Sequence, residues 1–277
     1  MKLSIVTVVL NNPHVAGALD SILAQRFEGE LELIVVDGGS TDGTLKILEG
    51  YRDRLAVLVS EPDQGIYDAM NKGIARATGD IIGTLNSDDL YFDDQALQAV
   101  VAAFQNAEVD AVYGDLIYVR REEPDKVVRY WQSRPYEDGL FERGWMPAHP
   151  AFFVRREVYD QHGVFDLDFR LAADFELLLR LMAKGRIRAV HVPRVLVRMC
   201  LGGATNKSLR NILRGNLESY RACRKNGLKV HCGSSRTRSC PGFRSFSGKC
   251  PTAEPALGPA LVSVVPNSPL HPLPARF

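Results

Sequence analysis

Residues 31–51 read LELIVVDGGSTDGTLKILEGY, and this stretch decides the fold class. Residues 31–36 are an apolar run typical of a buried strand, and residues 41–51 have the spacing of a helix. The same alternation runs through the first half of the chain. It predicts an α/β fold whose central sheet is mostly parallel and flanked by helices on both faces. The predicted strands are 4–10, 31–36, 55–59, 80–85 and 109–113, and the predicted helices are 15–26, 41–51, 66–77 and 93–106.

The pattern changes after Gly114, where the sequence predicts a smaller mixed region. It contains a hairpin of strands 115–121 and 126–132 around the turn 122–125, and further strands at 151–154, 187–192 and 195–200. Its predicted helices are 156–162, 173–184 and 208–226. We expect the last helix to gather its apolar residues on one side. These residues are Leu209, Ile212, Leu213, Leu217 and Tyr220. The predicted divisions are an α/β half at 1–114, a mixed half at 115–206, a basic helix at 207–230 and a tail at 231–277.

Composition sets the tail apart from the rest of the chain. Residues 231–277 hold eight of the 15 prolines and three of the five cysteines. This composition is typical of a disordered segment, and a shifted reading frame would also produce so abrupt a change. The chain as a whole has a net charge of +1 and is 45% hydrophobic. These values exclude disorder throughout and lack the basic excess expected of a nucleic-acid-binding protein.

The cellular compartment of the protein is predicted from its apolar runs and its cysteines. No apolar run reaches the ~18 residues needed to cross a bilayer. The cysteines are odd in number and form no CxxC pair, so neither a zinc site nor a secreted disulfide framework is expected. We therefore predict a protein of the reducing cytosol.

Four polar segments follow the first four predicted strands, and ligands of open parallel sheets bind at this edge. The segments begin at Leu10-Asn11-Asn12, at Asp37, at Glu61 and at Asn86. Asp37 ends its strand, where a carboxylate can accept a hydrogen bond from a ligand. Alternatively, the segment after it forms only a turn that caps the next helix.

Asn86-Ser87-Asp88-Asp89 places two adjacent carboxylates at another strand end. Mg²⁺ and Mn²⁺ prefer oxygen ligands, typically one or two carboxylates together with phosphate oxygens. One of these acids would then bind a metal and the other a sugar hydroxyl. Alternatively, both acids favour the N-terminus of the following helix through its dipole.

Two further polar residues lie in the second half. Asp174 begins a strongly apolar helix, and it would act as a general base if its side chain faces the cleft. Alternatively, it is a surface residue favoured by the helix dipole. His149 precedes a short strand and has either a functional or a structural role.

Together these segments resemble glycosyltransferase family 2, whose members are inverting enzymes of the GT-A fold. Asn86 departs from the family by replacing the first acid of a DxD motif, and Ala173 replaces a glutamate that usually precedes the base. Three further segments resemble a narrower branch that includes the colanic-acid and mycobacterial phenolic-glycolipid glycosyltransferases. The family segments are 10–11, 35–44, 85–89 and 173–174, and the branch segments are 60–73, 149–153 and 202–206.

The resemblance implies a role for each matching residue. Asp174 would be the catalytic base, Asp88 and Asp89 would hold Mg²⁺ or Mn²⁺, and His149 would lie on the acceptor side. Asp37 would contact the nucleobase of a UDP-, GDP- or dTDP-linked sugar. The nucleotide-sugar-binding residues would be Val9, Asn11, Asp37, Gly65, Lys72, Asn86 and Asp88. The acceptor would be a glycan or a lipid-linked molecule in cell-surface polysaccharide or glycolipid synthesis.

Two other functions remain open on the sequence alone. A sugar nucleotidyltransferase needs a glycine-rich loop with basic residues that grip a triphosphate, and residues 8–13 contain none. A non-catalytic sugar-nucleotide-binding protein is opposed by the presence of Asp174. Independently, the basic residues of the last helix predict either peripheral contact with an anionic membrane or a solvated helix face.

Overall fold

We describe the protein from a computed structural model, which describes residues 1–201 and 209–228. The predicted segment 202–206, Lys207 and the tail lie outside the described residues. The strands are β1 (Lys2–Val9), β2 (Glu30–Asp37), β3 (Val57–Ser60), β4 (Ile81–Thr84), β5 (Leu90–Tyr91), β6 (Ala111–Arg120), β7 (Glu123–Trp131), β8 (Phe152–Arg155) and β9 (Ala189–Cys200). The helices are α1 (Val15–Leu23), α2 (Thr44–Glu49), α3 (Ile66–Ile74), α4 (Ala96–Ala103), α5 (Arg156–His162), α6 (Ala173–Leu179) and α7 (Leu209–Lys225).

The predicted parallel sheet is present in the first half. Strands β3, β2, β1 and β4 lie side by side in that order and are all parallel. Val9 is in register with Asp37, and Asp37 is in register with Ser60. The ends of three strands therefore lie level at one edge of the sheet, where the polar loops begin.

The second half continues the same sheet with mixed strand directions. β8 is antiparallel to both β4 and β6, while β6 and β9 are parallel. The predicted strands at 109–113 and 115–121 are wrong as separate elements, because β6 runs unbroken through Gly114. Likewise, one strand, β9, replaces the two predicted at 187–192 and 195–200. Shifts in register along β6 and β9 accommodate the interruption in the apolar pattern.

Alternate residues of each strand enter two separate cores on the two faces of the sheet. Val6 and Val8 of β1 pack toward α3 and α6. Ile5 and Val9 pack toward α1 and α4 on the opposite face. The sheet is thus covered on both sides, which is why its strands read as continuous apolar runs.

Helix α7 is present, and two of the apolar residues predicted to gather on one side of it point outward. Leu213 is 70% exposed and Leu217 is 61% exposed. The residues that face the protein are instead small or polar: Gly215, Glu218, Ala222, Cys223 and Asn226. Among the residues that the structure describes, no helix is long and apolar enough to cross a membrane.

Candidate active site

The loops after β1 and β2 are joined by hydrogen bonds around Asn11. The Asn11 side-chain oxygen accepts a hydrogen bond from the Thr41 amide at 2.9 Å, and the Asn11 amide donates to the Ser40 hydroxyl at 2.8 Å. Asn11 has a φ of 48°, a left-handed conformation that asparagine tolerates better than most residues. The Gly38 amide donates to the carbonyl of Val9 at 2.9 Å, which closes the two strand ends together.

Asp37 is completely buried at the end of β2. Its carboxylate accepts hydrogen bonds from the Ser60 hydroxyl at 2.6 Å and from the amides of Gly39 and Ser40 at 3.2 and 3.0 Å. The Ser40 hydroxyl also donates to it. Asp37 therefore fixes the loop 38–41 and links it to β3, so the loop presents its backbone groups in a defined arrangement.

The loop after β3 is organised by Asp63 and Lys72. Asp63 accepts a hydrogen bond from the Gly65 amide at 2.8 Å, and Gly65, just before α3, has a φ of 123° that favours glycine. The Lys72 ammonium donates to the Pro62 carbonyl at 2.9 Å and pairs with Glu61 at 3.0 Å. Lys72 is thus held against the loop that follows β3.

The loop after β4 is tied to the other loops through Asn12. The Asn12 side-chain amide donates to the Ser87 hydroxyl at 3.0 Å, and its backbone amide donates to the Thr44 hydroxyl at 2.9 Å. Hydrogen bonds therefore connect the loops that follow β1, β2 and β4. The structure brings the predicted strand-end segments into one connected edge.

Asp88 and Asp89 occupy different environments within that edge. Asp88 is half-buried, whereas Asp89 is 1% exposed. Asp89 accepts hydrogen bonds from the Asn86 side chain at 3.0 Å and from the Cys200 amide at 3.3 Å. Burial, together with the negative charge of Asp88, nevertheless raises the pKa of Asp89 above its usual value.

These features suit a divalent cation with oxygen ligands. A cation would offset the cost of ionising Asp89, and the buried side-chain oxygen of Asn86 has no hydrogen-bond partner among the described residues. Within 1–201 and 209–228, no three His, Cys, Asp or Glu side chains converge on one point. Ligands beyond the two aspartates would therefore have to come from phosphate and water oxygens, as is common for Mg²⁺.

Asp174 lies in the first turn of α6 and is held by Tyr67 of α3. The Tyr67 hydroxyl donates to Asp174 Oδ1 at 3.2 Å, and the Phe175 amide donates to the same oxygen at 2.8 Å. Burial raises the pKa of Tyr67 well above its usual value, and the negative charge of Asp174 raises it further. Tyr67 therefore remains a neutral donor to the carboxylate. Asp174 Oδ2 accepts no hydrogen bond among the described residues and is left to accept a proton.

His149 is half-buried near this pair. Its ring packs edge-on against Phe165 at 5.6 Å, and Phe165 stacks on Tyr67 at 5.3 Å. Burial lowers the pKa of His149, although the Asp174 carboxylate acts in the opposite direction. Its Nε2 atom is buried with no hydrogen-bond partner among the described residues. A neutral imidazole with a spare nitrogen can receive or donate one hydrogen bond to a ligand.

The sequence analysis missed two features of the site and its surroundings. Tyr67 was part of a quoted segment but had no role assigned, since its contact with Asp174 spans 107 positions. Asp115 of β6 was also missed; it is buried and accepts hydrogen bonds from Tyr130 and from the Ser133 amide, while His191 lies 3.1 Å away. An aspartate inside an otherwise apolar strand was the signal for this second cluster.

Comparisons with known proteins give a family match and several similar chains. The family model described as Glycosyl transferase family 2 matches residues 4–163. A glycosyltransferase of phenolic-glycolipid (PGL) and p-HBAD biosynthesis from Mycobacterium bovis is 34% identical over 196 residues, which cover 68% of this chain and 73% of that protein. An uncharacterised glycosyltransferase from Mycobacterium tuberculosis is 36% identical over 64% of this chain and 67% of its own length.

Solved structures share the fold. The mannosyltransferase PcManGT from Pyrobaculum calidifontis, in complex with GDP-Man and Mn²⁺, superposes with a TM-score of 0.62. It is 23% identical and covers 83% of this chain and 65% of its own. Residues 1–349 of Staphylococcus aureus TarS in complex with UDP superpose with a TM-score of 0.60 at 19% identity, covering 83% of this chain and 67% of that one. Both are GT-A glycosyltransferases, so the predicted fold class is confirmed.

Proposed function

Because this chain belongs to glycosyltransferase family 2, we propose that it transfers a sugar from a nucleotide-sugar donor to a hydroxyl group with inversion at the anomeric carbon. The chain is a glycosyltransferase enzyme. The proposed mechanism, in which Asp174 is the general base, is supported by one observation. One oxygen of the Asp174 carboxylate is held by Tyr67, and the other is available. A carboxylate so held suits a general base.

The donor is proposed to bind along the connected strand ends. Val9 and Asp37 end β1 and β2, while Asn11 and Gly65 lie in the loops after β1 and β3. Lys72 of α3 is held against the loop after β3. Asn86 and Asp88 lie in the loop after β4. Because Asp37 is buried and already accepts four hydrogen bonds, we assign its effect on the nucleobase chiefly to the loop that it fixes. Two solved structures of the same fold are complexes with UDP and with GDP-Man, and these support a nucleotide-sugar donor here.

Asp88 and Asp89 are proposed to hold Mg²⁺ or Mn²⁺ beside the donor diphosphate. When bound, such an ion offsets the negative charge that develops on the departing nucleoside diphosphate. Asp89 is held in place by Asn86 and by the Cys200 amide, while Asp88 is the more exposed of the two acids. We therefore assign Asp88 to the face of the site nearer the donor.

Asp174 is proposed to accept the acceptor's proton on Oδ2. The acceptor oxygen then forms a bond to the anomeric carbon as the bond from that carbon to the diphosphate oxygen breaks. The electron pair of the broken bond leaves with the nucleoside diphosphate, and attack from the opposite side inverts the carbon. His149, with its unpartnered Nε2, is proposed to hydrogen-bond the acceptor.

The proposed acceptor is a glycan or lipid-linked hydroxyl in cell-surface polysaccharide or glycolipid synthesis. This proposal is supported by the mycobacterial relative named for PGL and p-HBAD biosynthesis. We accordingly propose a cytoplasmic enzyme that works at the inner face of the membrane, with residues 1–114 on the donor side and 115–206 on the acceptor side.

The decisive experiment compares Asp174→Asn with the wild type. UDP-, GDP- and dTDP-sugars are first screened for thermal stabilisation with and without Mn²⁺, and release of nucleoside diphosphate from the stabilising donor is then measured. We expect Asp174→Asn to bind that donor normally but to turn over at least about 100-fold more slowly. Asp168→Asn is the matched control, since the Asp168 side chain is 75% exposed.

Each other outcome identifies a different function. Equal turnover by Asp174→Asn would show that another group is the base. Donor binding without turnover by the wild type would indicate a non-catalytic binding protein. Reaction of the donor with pyrophosphate to give a nucleoside triphosphate would indicate a nucleotidyltransferase. Retention of the donor's anomeric configuration in the product would contradict inversion.

A further inference from the structure

Helix α7 exposes its apolar residues and buries its small and polar ones. Leu213 and Leu217 lie one turn apart and are 70% and 61% exposed, and Ile212 beside them is 40% exposed. Residues four apart lie on the same face of a helix, so the two leucines form a continuous apolar strip. No described residue covers this strip. A helix with this pattern has an apolar face that still lacks a partner.

The orientation of α7 is fixed by contacts on its inner face. Glu218 is buried and accepts hydrogen bonds from the amides of Leu171 at 2.7 Å and Ala172 at 3.2 Å. The Asn226 side chain donates to Glu176 of α6 at 3.0 Å. A rotation that buried the leucines would withdraw both polar groups from their partners, which is costly in a buried setting. The outward position of the leucines is therefore built into the packing.

The exposed surface around the leucines is basic. α7 carries five basic residues, and its acid, Glu218, is buried. Arg214 pairs with Glu218 and Lys225 pairs with Asp166. The other three basic residues have no carboxylate partner among the described residues: Arg210, Arg221 and Arg224. Net positive charge therefore surrounds an apolar strip on one outward face.

We propose that this face of α7 docks on the surface of an anionic lipid bilayer. The leucines would enter the boundary between headgroups and acyl chains, and the arginines would lie at the level of the phosphate groups. A second copy of the chain is a poorer occupant, because a symmetric contact would bring two sets of unpaired arginines together. An anionic membrane complements both the apolar strip and the charge.

The position of α7 gives this docking a consequence for the proposed reaction. The Glu218 carboxylate holds the amides of Leu171 and Ala172, and Asp174 lies two residues further along. Membrane docking would therefore place the segment that carries the base close to a lipid-linked acceptor. The docking itself does not depend on the proposed reaction, since vesicle binding is measured without donor or acceptor.

The test is sedimentation of the full chain with vesicles of phosphatidylcholine alone or with about 30% phosphatidylglycerol, which gives the surface a negative potential. We expect at least about tenfold stronger binding to the anionic vesicles, weakening as salt is added. Leu213→Gln with Leu217→Gln should lower anionic binding about tenfold or more. Arg210→Gln with Arg224→Gln should remove most of the preference for anionic lipid, since each basic residue contributes about fivefold.

Val128→Gln is the matched control, because Val128 is 40% exposed on β7 and should leave binding unchanged. Unchanged thermal midpoints would establish that the variants fold. Equal binding to neutral and anionic vesicles, or no loss in the leucine variant, would overturn the proposal. Absence of binding by the wild type would also overturn it. A dimer that the leucine variant dissociates would instead assign the face to a second copy.

Discussion

The Tyr67 hydroxyl donates a hydrogen bond to Asp174 Oδ1 at 3.2 Å and joins α3 to α6. The two helices pack on the same face of the sheet, and each begins near a polar loop. Tyr67 is held in turn by stacking on Phe165 at 5.3 Å. The orientation of the proposed base is thus set by a residue of the donor-side half of the chain.

Tyr67→Phe is expected to lower turnover with little change in donor affinity. The substitution removes the hydroxyl that orients Asp174 and keeps the ring that packs on Phe165. A hydrogen bond to a charged group contributes about 1.5–3 kcal/mol, so kcat should fall about tenfold or more. The measurement is steady-state kinetics, with donor binding followed separately by calorimetry.

Tyr51→Phe provides the matched control for this prediction. The Tyr51 hydroxyl donates to Asp20 at 2.9 Å, so the variant removes the same kind of hydrogen bond away from the strand-end loops. Its kcat should equal that of the wild type. Equal kcat values for Tyr67→Phe and the wild type would show that Asp174 does not need this contact.

Ser60→Ala is expected to weaken donor binding, although Ser60 is not one of the residues proposed to contact the donor. It removes the 2.6 Å hydrogen bond to Asp37 and so loosens the link between the loops after β2 and β3. A hydrogen bond to a charged group contributes about 1.5–3 kcal/mol, so donor affinity should fall about tenfold or more. Asp37→Ala removes every contact of the carboxylate and should abolish detectable binding. Calorimetry with the best donor tests both, and wild-type affinity in Asp37→Ala would exclude this loop from the donor site.

The parallel half of the fold was predictable because its sequence pattern and its structure have the same cause. Strands covered on both faces must be apolar throughout, as in residues 31–36. Polar loops at their carboxyl ends then fall on one edge, so the sequence alone was enough to predict that Asn11, Asp37 and Asn86 lie there. The strand register confirms that Val9, Asp37 and Ser60 lie level.

The rest depended on contacts between distant residues. The inward side of α7 could not be predicted because Glu218 and Asn226 face inward to meet groups on and just before α6. The local apolar pattern groups Leu213 and Leu217 on one side of α7 but does not show which side faces the protein. Gly114 interrupts the apolar run of β6, and Pro193-Arg194 interrupts that of β9. Pairing between the two strands nevertheless continues on both sides of these positions, so each remains one strand. In these regions tertiary packing outweighed the local pattern.

Gly73→Ala is expected to destabilise the protein, while Gly17→Ala is expected to be neutral or stabilising. Both glycines are in helices, but a Cβ at Gly73 would overlap the Val6 side chain of β1. At Gly17 the nearest atom would be Leu90 Cδ2 at 3.7 Å, an ordinary contact. Overpacking costs about 1–3 kcal/mol, whereas replacing a helical glycine by alanine gains about 0.5–1 kcal/mol. In urea unfolding the midpoint should fall for Gly73→Ala and stay the same or rise for Gly17→Ala. An unchanged or raised midpoint for Gly73→Ala would contradict the packing of α3 on β1.

Glu32→Gln is expected to lower stability most at neutral pH. The Glu32 carboxylate is 6% exposed and accepts hydrogen bonds from the hydroxyls of Ser4 at 2.5 Å and Thr78 at 2.6 Å. Burial alone would raise its pKa, but these bonds and Lys2 outweigh burial and lower the pKa to about 2. A lowered pKa stabilises the fold above the unfolded value near 4.5, and this stability is lost as the pH falls toward 2.

The pH dependence separates the contribution that the Glu32 charge makes to stability from the contribution of the side chain's shape. From the two pKa values, the charge contributes about 3 kcal/mol at pH 7 and less than about 2 kcal/mol at pH 3. The difference in unfolding free energy between wild type and Glu32→Gln should therefore shrink by roughly half between these two pH values. Glu30→Gln is the matched control, because Glu30 pairs with the same Lys2 but its side chain is 69% exposed. A difference in unfolding free energy between wild type and Glu32→Gln that stays constant from pH 7 to pH 3 would show that the ionised carboxylate does not stabilise the start of β2.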